Sequence, residues 1–380
     1  MEPFCAGKMF LTFFLATALE VFMNFINIIK NLFFRKKRPQ QPKTITPIKA
    51  PPPPEQEINP KSYCQYVKDL EQWFSPSILK TCAYKWYSEK CNGQGIRLAV
   101  LDEGLVKHRL LAPLENKITR ENFTSALGTD GFTDISGHGT HVAGLLIGPL
   151  SLYKGDICTG LCPDVDHYYH FKVLNAGMGF VDDMNKAFEH IIALPDNERP
   201  HFISMSIQVP LKPNDPLTDD VKQAENNLAT LKNLGVRVIA CSGNYGVHIP
   251  GFTDPISDRV AWPARSPNVK GIGAIDITDN IATFSSEGSE VDYVSYGVNE
   301  ISYSNDGTGF AKMSGTSMAT PRHVGFEVCF ASWLLKKKGM DIRFIMQNMD
   351  DLLRQYNFVH DLGVPGKDPD YGLGLLRFGA

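Results

Sequence analysis

An excess of charge of either sign is missing from this chain. Its 38 Lys and Arg against 41 Asp and Glu leave a formal net charge of −3 over 380 residues, which excludes the basic footprint that nucleic-acid binding requires. Cysteine is sparse: eight residues, scattered along the chain, do not make a disulfide scaffold in a protein of this size. No internal repeat is present. No acidic cluster has the ligand spacing of a calcium loop, and the pair His138 and His141 lacks the neighbouring Glu or third ligand that a zinc site needs.

What is present is enough apolar sequence, 43% of the chain, to bury one large core. Amphipathic helical patterns, VDDMNKAFEHIIAL at 181–194 and DDVKQAENNLATLKNLG at 219–235, alternate with apolar runs such as VRVIAC at 236–241. That alternation predicts βαβ units and a parallel sheet. The run at 96–101 is almost wholly apolar, as expected of a strand buried on both faces of such a sheet.

Three short segments carry the chemistry: IRLAVLDEGL around Asp102, SGHGTHVAG around His138, and SGTSMATP around Ser317. Each sets one reactive side chain among small residues, where backbone can turn sharply or approach a substrate. A serine hydroxyl is a poor nucleophile near neutral pH and needs a base to take its proton. An imidazole with an ordinary pKa of about 6.5 can accept that proton and pass it to a leaving amine, provided its tautomer is fixed. A buried aspartate fixes the tautomer and stabilises the imidazolium. The three segments together predict a nucleophile, base and orienting acid in Ser317, His138 and Asp102.

Taken singly, Asp102 also fits a strand-end turn cap, and Ser317 an ordinary helix N-cap. Pro321 falls in or near the first turn of the helix predicted after Ser317, where proline is tolerated. His141 reads as a packed or capping histidine. Ser317 lies in Gly-Thr-Ser-Met-Ala, not in the G-x-S-x-G elbow of esterases and related hydrolases. Asn244, in CSGNYG at a predicted strand end, is a fixed amide donor for a developing oxyanion or, equally, a left-handed turn residue.

With these motifs in the order Asp, His, Ser, the chain resembles the subtilisin-like serine peptidases from about residue 75 onward. The segments GLCPDVDHYYHFKVLNAG, HFISMSIQVP, VIACSGNYG, WPARSPNVKGIGAID and YGLGLL extend the likeness beyond the triad. The resemblance implies an α/β, three-layer fold with a mainly parallel central sheet flanked by helices. It implies a serine endopeptidase acting on protein or peptide substrates through an acyl-enzyme, with Asn244 and the Ser317 N–H facing the oxyanion. It further implies a peptide bound as an added strand between Gly177, Gly179 and the segment Ser206, Ile207, Gln208. No cofactor is needed for that chemistry; structural calcium is common in the family, but no residues here are assigned to it.

Departures from the family pattern are informative. Glu103 stands where Ser or Thr usually follows the aspartate, and an added carboxylate there would raise the histidine pKa. Ile207 and Gln208 replace the usual Leu and Gly, and RHVG at 322–325 replaces HVAG. These changes motivate an alternative, a catalytically inactive subtilase-like protein that only binds peptides.

The N-terminal part divides from this domain by composition. Residues 1–38 hold an apolar run at 9–19 and a basic cluster at 35–38. Three readings fit: a cleaved secretory signal, a membrane anchor, or an interfacial helix on anionic lipid. The expected location is accordingly membrane-associated or secreted, the side of the membrane left open. Residues 39–60, with four consecutive prolines at 51–54, read as an extended linker, and 61–380 as the peptidase domain. Little chain before residue 95 is left for an inhibitory pro-domain of the usual size. Cys158 and Cys162 fit either a local bridge or free thiols.

Overall fold

The computed structural model describes residues 74–126, 130–154, 156–209, 211, 216–246 and 260–379, and the backbone of 10–12. The signal, anchor and linker expectations therefore lie outside the described residues, except where Phe10–Thr12 forms strand β1. Among the described residues no helix is long and apolar enough to cross a membrane.

After β1 come helices α1 (Pro76–Thr81) and α2 (Lys85–Glu89), strand β2 (Arg97–Asp102), a 3-10 helix (Arg109–Lys117) and β3 (Ile118–Asn122). Helix α3 (His138–Ile147) follows, then β4 (Ser151–Tyr153), β5 (Asp156–Cys158), β6 (His167–Lys172) and β7 (Met178–Phe180). Helices α4 (Val181–Ala193) and α5 (Asp219–Asn233) flank β8 (Phe202–Met205) and precede β9 (Arg237–Cys241). Strands β10 (Val269–Ile275), β11 (Val291–Tyr296), β12 (Glu300–Tyr303) and β13 (Phe310–Met313) lead to the long helix α6 (Thr316–Lys338). Helices α7 (Ile342–Gln347) and α8 (Met349–Gln355) and strands β14 (Val359–His360) and β15 (Leu375–Leu376) complete the fold.

A nine-stranded sheet in the order β14-β15-β11-β10-β9-β8-β2-β6-β3 is the frame. All its pairings are parallel except β14 with β15, which agrees with the α/β expectation. Its central strands show why the apolar runs had no polar alternation. In β2, Leu98 and Val100 enter the core under α3 and α6, while Ala99 and Leu101 enter the core under α4 and α5. Strands β8 and β9 repeat the division: Phe202 and Ile239 face the first core, and Ile203, Met205, Val238 and Ala240 the second. Successive residues of a strand point to opposite faces, so helices on both sides demand apolar residues at every position.

The helices differ in the same logic. Helix α4 buries Val181, Met184, Ala187, Phe188 and Ile191, a one-sided stripe at helical spacing. Helix α3 is buried at every position, because it lies between the sheet, α6 and β12. Cys158 and Cys162 are free, as are the buried Cys91, Cys241 and Cys329 and the half-buried Cys82.

Phe188 is fully buried in the α4–α5 core. Phe188→Ala is expected to lower the unfolding free energy by about 3–5 kcal/mol, read as a shift in denaturant midpoint at unchanged slope.

Candidate active site

The carboxyl ends of adjacent parallel strands supply the site. Strand β2 ends at Asp102, fully buried. Its Oδ1 accepts the N–H of Glu103 at 2.7 Å and the Nδ1–H of His138 at 2.7 Å. A buried carboxylate needs such donors to offset its lost hydration; here backbone and imidazole supply them at Oδ1, Oδ2 has no partner among the described residues, and burial raises the Asp102 pKa against the pull of His138. The pairing also selects the His138 tautomer: with Nδ1 protonated toward Asp102, Nε2 is left as the acceptor.

His138 is the first residue of α3. The helix start is held from outside: Asp134 accepts the N–H groups of Gly137 at 3.1 Å and Thr140 at 2.8 Å, and Ser136 Oγ accepts that of His138 at 3.2 Å. Gly139 shows why the motif is glycine-bounded. A Cβ there would stand 2.3 Å from the carbonyl oxygen of Gly104, so only glycine lets this helix lie against the chain leaving Asp102.

Electrostatics separates the two histidines. Burial pulls the His138 pKa down, but the adjacent Asp102 charge and hydrogen bond, with Glu103 and Asp134 beyond, outweigh it and raise the value above the ordinary 6.5. Among the described residues His141 has no carboxylate partner. Burial drives it down to about 3, and its Nε2–H lies 3.2 Å from the carbonyls of both Glu300 and Ala311. It is a neutral packing residue, as its sequence context indicated. Among the described residues no group of three or more His, Cys, Asp or Glu is arranged to hold a metal.

Ser317 is the second residue of α6, two positions beyond the cap: Gly315 occupies the N-cap. Its backbone N–H is thus among the first of the helix, which have no intrahelical acceptor and carry positive partial charge. Asn244 lies just past β9. Its Oδ1 accepts both the N–H and the hydroxyl of Thr316, at 3.0 and 2.9 Å. With the oxygen so used, the amide NH2 is the group left to donate. Asn244 is not among the residues with left-handed backbone, so the left-handed turn reading does not hold, and its side chain is fixed beside Ser317.

The residues expected from the sequence to flank a bound peptide strand are placed as follows. Ser206, just past β8, donates its hydroxyl to the Ser317 carbonyl at 2.7 Å. Ile207 is buried in the α4–α5 core, and its carbonyl accepts the Cys241 thiol. Gln208 Oε1 accepts the N–H of Asn244 at 2.9 Å, so the residue that replaces glycine braces the asparagine loop. Gly177 precedes β7 and Gly179 lies within it; a Cβ on Gly179 would stand 2.4 Å from the Val173 carbonyl. Strand β7 already carries a partner: Phe10, Leu11 and Thr12 of β1 pair antiparallel with Phe180, Gly179 and Met178.

The altered RHVG segment serves packing. Buried Arg322 bonds Glu300 at 2.8 Å and the Thr159 carbonyl at 3.0 Å, and His323 bonds Glu327 at 3.0 Å. Sequence reasoning missed Asp134 and His170, whose Nε2–H meets the Glu103 carbonyl at 2.7 Å; the Asp134-x-x-Gly137 spacing before His138 is a turn signal that points to the first.

Known proteins align with this arrangement. The model described as the subtilase family matches residues 93–326, more than half the chain. Subtilisin BL of Lederbergia lenta is 32% identical over 248 residues, 65% of this chain and 78% of that protein. An alkaline protease of Alkalihalobacillus alcalophilus is also 32% identical over 248 residues, and there the chain spans only 55% of the relative's length. The minor extracellular protease Epr of Bacillus subtilis (strain 168) is 27% identical over 313 residues, 82% of this chain and 42% of that protein.

Titration of the histidines followed by NMR, assigned with His138→Ala and His141→Ala, is expected to show His138 charging with a midpoint above 6.5. His141 is expected to stay neutral from pH 5 to pH 9. Charging of His141 within that window would contradict its assignment as a packing residue.

Proposed function

The chain belongs to the subtilase family, and on that premise we propose that it is a serine-type endopeptidase with Ser317, His138 and Asp102 as its triad. The observation that carries the reading is the 2.7 Å bond between His138 Nδ1 and a fully buried Asp102. It leaves Nε2 unprotonated to act as a base.

In this mechanism Ser317 Oγ attacks the carbonyl carbon of the scissile bond, and His138 Nε2 takes the hydroxyl proton. The imidazolium is stabilised by Asp102, whose charge is already oriented. Negative charge develops on the substrate oxygen, toward the Asn244 amide and the Ser317 N–H. Collapse passes the His138 proton to the leaving amine and leaves an acyl-serine. Water, deprotonated by the same imidazole, releases the acid and restores the serine.

The peptide adds as a strand beside Gly177 and Gly179 on one side and Ser206 to Gln208 on the other. That β7 accepts β1 in antiparallel register supports strand addition at this edge, and a peptide entering there displaces β1. Of the two locations expected, the secreted one is supported by a relative named as an extracellular protease.

The test is digestion of a mixed peptide library by the full chain, with cleavage sites read by mass spectrometry. Wild type is expected to cut and Ser317→Ala to leave the library intact. Asn244→Ala is expected to lower kcat about 10²–10³-fold, the magnitude already established for this donor in subtilisin. Equal cutting by wild type and Ser317→Ala would exclude the mechanism. Failure of wild type both to cut and to react with a fluorophosphonate would favour the peptide-binding alternative.

A further inference from the structure

Glu103 is the departure from the family pattern that the catalytic scheme leaves unused, and it is fully buried. Burying a carboxylate without strong partners is unfavourable, so its donors show what it holds. Oε1 accepts the Ser136 hydroxyl at 2.8 Å and the Gly177 N–H at 2.5 Å, and Oε2 accepts the Ser136 N–H at 3.1 Å. These donors come from two segments far apart in the chain. Ser136 belongs to the turn that starts α3, and its Oγ accepts the N–H of His138. Gly177 immediately precedes strand β7.

We propose that Glu103 is a positioning residue: one carboxylate ties the turn carrying the base to the edge that receives substrate and sets the spacing between them. The proposal rests on the peptidase reading above, because β7 acquires its meaning as a substrate edge there. The serine or threonine usual at this position ends closer to the backbone and offers one oxygen, so it cannot accept from both segments in this geometry.

The charged surroundings fit that role. From β2, Asp102 lies beside it. From the turn before α3 comes Asp134, and from α3 itself His138. From β6, Lys172 reaches the Thr133 carbonyl at 2.6 Å with Asp130 nearby. Burial works against ionisation of Glu103, but the Ser136 bonds, an Asp134 hydrogen bond and the His138 charge outweigh it and keep the carboxyl below its ordinary range. Asp134 moves the other way, up to about 7, chiefly by burial and then through Glu103. Glu103 is therefore the ionised member of the two. Its charge adds to that of Asp102 in favouring protonated His138.

Three variants separate positioning from plain structural support. Glu103→Gln keeps the shape but presents an amide NH2 to one of the N–H donors. Glu103→Asp keeps the charge on a shorter arm, and Glu103→Thr introduces a residue usual in the family. All three are expected to raise KM for an extended peptide about tenfold, the loss of one charge-assisted hydrogen bond, while KM for a single-residue ester stays unchanged. The acid limb of kcat/KM is expected to move to lower pH in the Gln and Thr variants and to stay in place in Asp. Wild-type KM for the extended peptide in every variant that folds, or equal changes for peptide and ester, would overturn the proposal. If wild type hydrolyses neither substrate, the peptidase reading fails by itself. Hydrogen exchange of the Gly177 amide and NMR titration of His138 then still decide: unchanged protection and an unchanged midpoint in the Gln and Thr variants would sink the role assigned to Glu103.

Discussion

A carboxylate at the end of a doubly covered strand is the constraint on which the site depends. Because β2 sends alternate residues into two separate cores, its last residue, Asp102, emerges already desolvated. An ionised oxygen there must find donors or be neutralised. The Glu103 N–H and the His138 imidazole both meet that need at Oδ1, while Oδ2 has no partner among the described residues, and the imidazole is thereby held in one tautomer. Orientation of the His138 imidazole is thus a by-product of satisfying a buried charge. The close approach of Gly139 to Gly104 follows from the same requirement, since the helix must come near enough for the bond to form.

A second set of charges, half-buried around the fully buried Glu327, anchors the long helix that carries Ser317. Arg237 on β9 bonds Glu327 on α6 and Asp350 on α8, at 2.6 Å each, and Lys270 on β10 bonds Asp350 at 2.9 Å. The pairing with Arg237 outweighs burial and holds Glu327 below its usual range. Removing one member would strand its partner's charge in the interior, which costs more than the pair contributes. Arg322 and Glu300 do the same near the helix start, linking it to Ser77 in α1. The helix that carries Ser317 is therefore pinned to the sheet by directional contacts as well as by its apolar faces.

Much of this was legible in the sequence, for identifiable reasons. Asp102, His138 and Ser317 each sit in a short motif whose glycines and apolar flanks are local consequences of strand ends and helix starts. The parallel sheet followed from uninterrupted apolar runs between amphipathic stretches. Relations between distant segments were not legible. Glu103 showed itself as an unusual residue, but its partners lie 33 and 74 positions away. Gln208 stood out as a replacement, while its bond to Asn244 spans 36 positions. The apolar run at 9–19 suggested a signal, a membrane anchor or an interfacial helix; that three of its residues pair with β7, in a two-stranded sheet of their own, depends on a pairing between distant segments that periodicity cannot reveal. The spacing of Cys158 and Cys162 fitted a bridge and free thiols alike.

Those thiols have a consequence for handling the protein. Burial pushes Cys158 and Cys241 up to about 12, and Cys162 and Cys329 are raised as well. Only thiolates react readily with alkylating agents and peroxide. These four buried thiols are accordingly less reactive than the half-buried Cys82, even though Cys241 lies on the strand beside Ser317, and labelling of these four by a mercury or maleimide reagent would signal opening of the core.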